Sequence, residues 1–396
     1  MSPPSSENSG RGFTGFTGHA RPQVILAAFG KHPGWSDFMD DIGMETDLLI
    51  AAKRIMYVKG IASQIETGAW DRLEPENRIP DFNHVFVWRK PEEFLIGRMW
   101  SSMDAKGRRE FPMVICADCV GLPLSWALQE LLPKLESLRV ACQAARSSAE
   151  VRSLLARAQT DIRSRIANLP QKPTGLPDSR AARSRFLNRG EWGTGQQGLY
   201  RILHQVHGQL SAYGVGKSAS LSDTLFLRKS SHGETSALSQ QIRVPQAGDT
   251  PAEALFQWTE FFLCQLDRTT PILLVLYLDQ KWVDITIGEP TNREFFSLKA
   301  SRAALPLASE VPYELDEESR EFAGNFIAAF GDTSKETSGG LSFGTRVALF
   351  FLLPVILIGL LAGYLHFAPA ADIPDFLRGA AEALGNPALS TTPEKP

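Results

Sequence analysis

Cysteine is scarce in this 396-residue chain, and four thiols are too few for the disulfide framework of a small secreted domain. The first 23 residues, MSPPSSENSGRGFTGFTGHARPQ, also lack the apolar run of a secretory signal. Both absences predict a body that stays in the cytoplasm. Charge of one sign is missing too: 41 basic and 44 acidic residues leave a net charge of −3. Neither a global cationic surface for nucleic acid nor a solvating acidic tail is therefore expected. No GKS or GKT phosphate loop, HExxH or GxSxG occurs, which removes the usual sequence routes to an NTPase, a zinc protease or an α/β hydrolase. What is present is the composition of a folded core, 43% hydrophobic, in a length that suits one large or two moderate domains.

The longest apolar run comes late. Residues 347–367, VALFFLLPVILIGLLAGYLHF, carry no charge and are long enough for a transmembrane helix. Lys335 and Arg346 precede it while Asp372 and Asp375 follow, a bias that keeps the N-terminal side in the cytoplasm. The expected topology is a single-pass inner-membrane protein with a short tail at 368–396. Within the span, Gly359 and Gly363 form a GxxxG pattern through which two copies would approach closely.

Ahead of the span, residues 1–23 read as a disordered arm rich in Ser, Gly and Pro. Short β-type runs follow at 24–29, 84–88, 93–100 and 111–116, with a helical pattern capped by Thr46 between the first two. Mostly local strand connections favour an antiparallel or mixed sheet with helices on one side, an α/β class. From Pro123 the pattern turns helical, and Ser147 to Glu150 matches a capping box. A helix at 198–213 and β-type runs at 224–227, 272–278 and 282–287 continue the main domain, 24–310. Residues 311–346, first acidic and then rich in Ser, Thr and Gly, read as a linker to the anchor.

Chemical motifs are few. Cys116 and Cys119 have redox or zinc spacing but no second Cys pair; His204 and His207 would complete a ligand set only across an unusual separation. Buried thiols are the expectation, with no metal and no cofactor. Gly193 to Gly198 matches the dinucleotide pattern in letters, yet no strand precedes it, so a helix entrance is expected. Residues 134–190 hold the one local charge excess, twelve Lys or Arg against four Asp or Glu between Lys134 and Arg189. Pro170, Pro173 and Pro177 interrupt this insert, which is expected to lie outside the core. It would offer Arg180, Arg183, Arg185 and Arg189 to anionic lipid or an acidic partner.

Two segments carry a family likeness. Gly30-Lys31-His32-Pro33-Gly34-Trp35-Ser36-Asp37-Phe38 and Gly97-Arg98-Met99-Trp100-Ser101-Ser102-Met103-Asp104-Ala105-Lys106-Gly107-Arg108-Arg109-Glu110-Phe111-Pro112 resemble two ordered blocks of the bacterial TagF (ImpM) family, associated with type VI secretion. Gly68-Ala69-Trp70 between them fits that family's turn. The likeness covers about residues 24–125; Trp35 and Ser36 depart from the family's usual Arg and Gly. It implies a longin-like α/β domain without catalytic activity that binds secretion-apparatus or regulatory proteins. The residues themselves allow two readings of Lys31, Asp37, Asp104 and Arg108: turn residues, or a polar partner-binding surface on two loops. The function expected is a membrane-anchored, non-enzymatic regulator or scaffold of type VI secretion assembly. The alternatives are a membrane-surface adaptor unrelated to secretion and a Cys/His metal-dependent enzyme.

Overall fold

The computed structural model describes residues 21–167, 179–212, 239–266, 269–312 and 314–331. Residues 1–20 of the expected arm 1–23, the strand expected at 224–227, the span 347–367 with Gly359 and Gly363, and the tail lie outside them, while Gln23 already opens the first strand. Among the described residues no helix is long and apolar enough to cross a membrane.

Seven strands form one sheet: β1 (Gln23–Gly30), β2 (Asn83–Arg89), β3 (Glu93–Ser101), β4 (Pro112–Val120), β5 (Gln240–Pro245), β6 (Ile272–Tyr277) and β7 (Trp282–Ile287). Their order is β1-β4-β3-β2-β6-β7-β5, and every neighbouring pair is antiparallel. Strands β2 to β4 form a meander, as their close spacing in sequence requires. The late pair β6 and β7 joins the free side of β2, so the two halves of the chain share one sheet.

Helices cover both faces, not one. On the first face Ile25, Ala27 and Phe29 of β1 meet α1 (Asp47–Ala52), the wide π-type turns of Lys53–Ile61 and α2 (Ala62–Glu66). Thr46 caps α1 as expected, its Oγ1 accepting from the Leu49 N–H at 3.2 Å. Gly60 does not end this helical run; a Cβ there would fall 2.4 Å from the Phe295 ring, so glycine admits the aromatic. The alternate residues Val24, Leu26 and Ala28 face the other layer. That layer holds α3 (Leu124–Trp126), α4 (Leu132–Ala144), α5 (Ser148–Ala167), α6 (Ser179–Leu187), α7 (Gln197–Ala212), α8 (Pro251–Leu263) and α9 (Glu317–Gly331). Double coverage explains why β6 and β7 are buried at every residue, a pattern more familiar from parallel sheets.

Two segments expected outside the core are in it. The basic helices pack through Leu135, Leu138, Val151, Leu155, Ile162 and Phe186, while Arg146, Arg152, Arg157, Arg163, Arg165 and Arg185 are exposed. The capping box at Ser147 forms, with Glu150 accepting from the Ser147 N–H and donating its own N–H to Ser147 Oγ. Residues 311–346 are not all linker: α9 buries Ala323, Phe326, Ile327 and Phe330, and the compact unit runs to Gly331. Of the acidic residues that suggested a linker, Glu317, Glu318 and Glu321 belong to the exposed side of this helix.

Strand β1 is a sheet edge, and α5 covers it. Gln159 Oε1 accepts from the Leu26 N–H at 2.7 Å, and its Nε2 donates to Val24 O at 2.8 Å. Gln159→Ala strands both buried backbone groups, and the expected loss is about 1–3 kcal/mol by chemical denaturation. An unchanged midpoint would mean that α5 is held by its apolar face alone.

Candidate functional site

β1 ends at Gly30, whose φ of +116° and close approach to Pro112 O, 2.3 Å from an added Cβ, leave room only for glycine. The chain then folds back, and Lys31 bridges Phe38. His32 ties this loop to α4: its Nδ1 accepts from the Gly34 N–H at 2.9 Å, so Nε2 carries the proton and donates to Cys142 O at 2.8 Å. Burial lowers its pKa, which favours this neutral form. The β3–β4 connection is shaped by Asp104, whose Oδ1 accepts from the backbone N–H groups of Lys106 (2.9 Å) and Arg108 (3.1 Å). Asp104 thus fits the turn-residue reading.

Because β1 and β3 both pair with β4, these two loops meet at one end of the sheet, and their four charges close into a ring. Lys31 Nζ lies 2.7 Å from Asp104 Oδ2 and 3.2 Å from Asp37 Oδ1; Arg108 reaches the same two carboxylates at 2.7 and 2.8 Å. Lys31 and Asp104 are buried, whereas the Asp37 and Arg108 side chains are 56% and 42% exposed. The surface is therefore narrower than four residues: the inner pair is scaffold, the outer pair meets solvent. Burial pushes the Asp104 carboxyl up, but hydrogen bonds from Lys31 and Arg108 outweigh it and hold it well below the usual range. The Lys31 hydrogen bond lowers Asp37 as well.

Beside the ring lies an apolar groove of about 410 Å³ whose lining includes Phe38, Tyr57, Val58, Ala62 and Phe111. Phe38 packs edge-on against Phe111, centroids 5.0 Å apart, yet remains 45% exposed; Val58 is 53% exposed. Asp41 and Glu66 stand among the lining residues, with Asp41 paired to Lys53 at 2.6 Å. Exposed aromatic surface rimmed by charge is a feature shared by protein, membrane and ligand contact sites. Sequence inspection singles out Asp37 but not the groove, since Tyr57 and Val58 come from a helix 20 residues away.

The remaining candidates do not join this site. Cys116 and Cys119 sit three apart on β4 and face opposite sides of the sheet, one in each core. Burial raises both thiol pKa values, and the two cannot chelate one ion together with His204 and His207. His204 Nδ1 lies 2.9 Å from Ser319 Oγ, and the His207 ring packs on Phe322. Gly193 to Gly198 form tight turns into α7 with no strand before them, the helix entrance expected. Of the four arginines, Arg183 lies 3.9 Å from Glu260, and Arg189 lies 2.9 Å from Glu191 and 3.8 Å from Asp249. The insert's charge is thus partly answered by its neighbours. Arg185 is exposed, and the Arg180 side chain lies outside the described residues.

Fold and site together define an α/β protein whose seven-stranded antiparallel sheet presents a charged ring and an apolar groove at one end. A scan against protein-family models gives no match, and a comparison with curated proteins gives none either.

Proposed function

We propose that this chain is a TagF-like, longin-like regulator or scaffold of type VI secretion assembly that works by binding another protein and catalyses no reaction. The observation that carries the reading is the convergence of the two TagF-like blocks: 30–38 and 97–112 lie far apart in sequence, yet their loops meet at the exposed groove. A charged ring with its inner pair buried makes that surface rigid, which lowers the entropy lost on binding. In this reading the apolar residues 347–367 hold the protein at the inner membrane, with the groove in the cytoplasm. Asp37→Ala and Phe38→Ala are expected to reduce recovery of secretion-apparatus proteins after crosslinking in intact membranes by at least about tenfold, the scale of a hot-spot residue. Thermal stability should fall only modestly, because the Asp37 side chain is 56% exposed and Phe38 nearly half exposed. Undiminished recovery with both variants would remove the surface from the mechanism.

A further inference from the structure

Residues 1–20 precede Arg21, where the described chain starts. Within residues 2–20 the only large apolar side chains are Phe13 and Phe16, carried by a repeated Gly-Phe-Thr. The rest of that stretch is small or polar, so it offers the two rings no core of their own. On the body, four large apolar side chains are exposed among the described residues, and two of them, Phe38 and Val58, line the same groove.

Reach decides which ring can arrive there. Gly30, at the far end of β1, lines the groove. The strand advances about 23 Å from Gln23 to Gly30 at about 3.3 Å per residue. A segment doubling back from Gln23 has to cover at least that length. Phe13, ten residues before Gln23, spans up to about 35 Å, whereas Phe16, seven before, spans at most about 25 Å. Phe13 therefore arrives with slack and Phe16 only when fully taut. The segment cannot add to β1 as a further strand along Val24 to Leu26, because Gln159 already holds Leu26 N–H and Val24 O. Contact is thus through side chains.

Charge points the same way. Asp41 and Lys53 answer each other, which leaves Glu66 as the lining charge with no ion pair among the described residues. Arg11 stands two residues before Phe13, about 7 Å in extended chain. Ala62 and Glu66, both in the lining, lie one helical turn apart, about 6 Å. The two spacings match.

We propose that the N-terminal arm docks into the groove of its own chain, with Phe13 against Tyr57, Val58 and Phe111 and Arg11 paired with Glu66, and so competes with the partner protein for Phe38. Tethering sets an effective concentration on the order of millimolar, so a contact too weak to hold a free peptide still fills the groove. The competition rests on the function proposed above; the docking does not.

The test uses the full chain, purified in detergent, with a benzophenone analogue of phenylalanine at position 13 and the photoadducts mapped by mass spectrometry. Adducts are expected on the peptides that carry Phe38, Val58 or Phe111, with a yield unchanged by dilution and higher than from the same probe at position 16. Val58→Asp should cut the yield about tenfold. Glu66→Arg should lower it, and Arg11→Glu added to Glu66→Arg should restore it. Val58 and Glu66 are exposed, so these variants fold. Adducts scattered over the body, a yield indifferent to Val58→Asp, or one that falls with dilution, the mark of contact between copies, would overturn the docking. Phe13→Ser should raise partner recovery from intact membranes several-fold. Unchanged recovery while the adduct forms would overturn the competition alone. A partner recovered from neither form would remove both the competition and the function proposed above, while the adduct still decides the docking.

Discussion

Asp284→Ala is expected to cost about 3–5 kcal/mol of unfolding free energy, the usual result of removing one member of a buried ion pair. Arg243 on β5 and Asp284 on β7 are cross-strand neighbours, and the guanidinium meets the carboxylate through two bonds of 2.7 and 2.8 Å. Both side chains are buried. Arg243 also donates to the carbonyls of Ser297, Ala300 and Ser301 and lies over the Trp282 ring, 4.5 Å from its centroid. Without Asp284 the cation stays buried with carbonyl dipoles but no counter-charge. Guanidinium denaturation should show the full loss for Asp284→Ala and a clearly smaller one for Arg243→Met combined with Asp284→Leu, which removes both charges. Equal losses would mean that the pair's shape matters more than its charge.

Asp104→Asn is expected to lower the melting temperature sharply at neutral pH, whereas Asp37→Ala leaves it nearly unchanged. Asn keeps the acceptor for the backbone N–H groups of Lys106 and Arg108 but removes the charge that faces buried Lys31. The pH dependence follows from the direction of the shift. A carboxyl whose folded pKa lies below its ordinary 3.8 contributes stability that is fully present above that value and is lost as pH falls through the folded pKa. The gap between wild type and Asp104→Asn should therefore be constant near neutrality and close progressively below about pH 4. A gap that does not change with pH would assign Asp104 a purely steric role.

What could be read in advance follows how local each signal is. Strands β1 to β4, the Thr46 cap and the Ser147 capping box announce themselves within a few residues, and the structure reproduces them. β5 was hidden because its sequence, QQIRVP, is half polar. Arg243 looks like a surface residue until the register sets it opposite Asp284. In α9 the glutamates masked a helical stripe of Phe322, Phe326 and Phe330. The candidate site divides in the same way: its charged residues stood in motif-bearing loops, but the burial of Lys31 and Asp104 and the groove beside Phe38 depend on how β1, β4 and the Lys53–Ile61 segment meet. No local pattern encodes that meeting.

The central claim, that the exposed end of the sheet is a protein-binding surface for secretion assembly, is tested most directly by photocrosslinking from position 38 in intact cells. A photoreactive phenylalanine analogue fits there, because Phe38 is already an aromatic side chain on the surface. The expected result is an adduct with a component of the type VI secretion apparatus that disappears when Asp37→Ala is added. No such adduct from position 38, together with one from an exposed control such as Val140 on the helical layer, would contradict it.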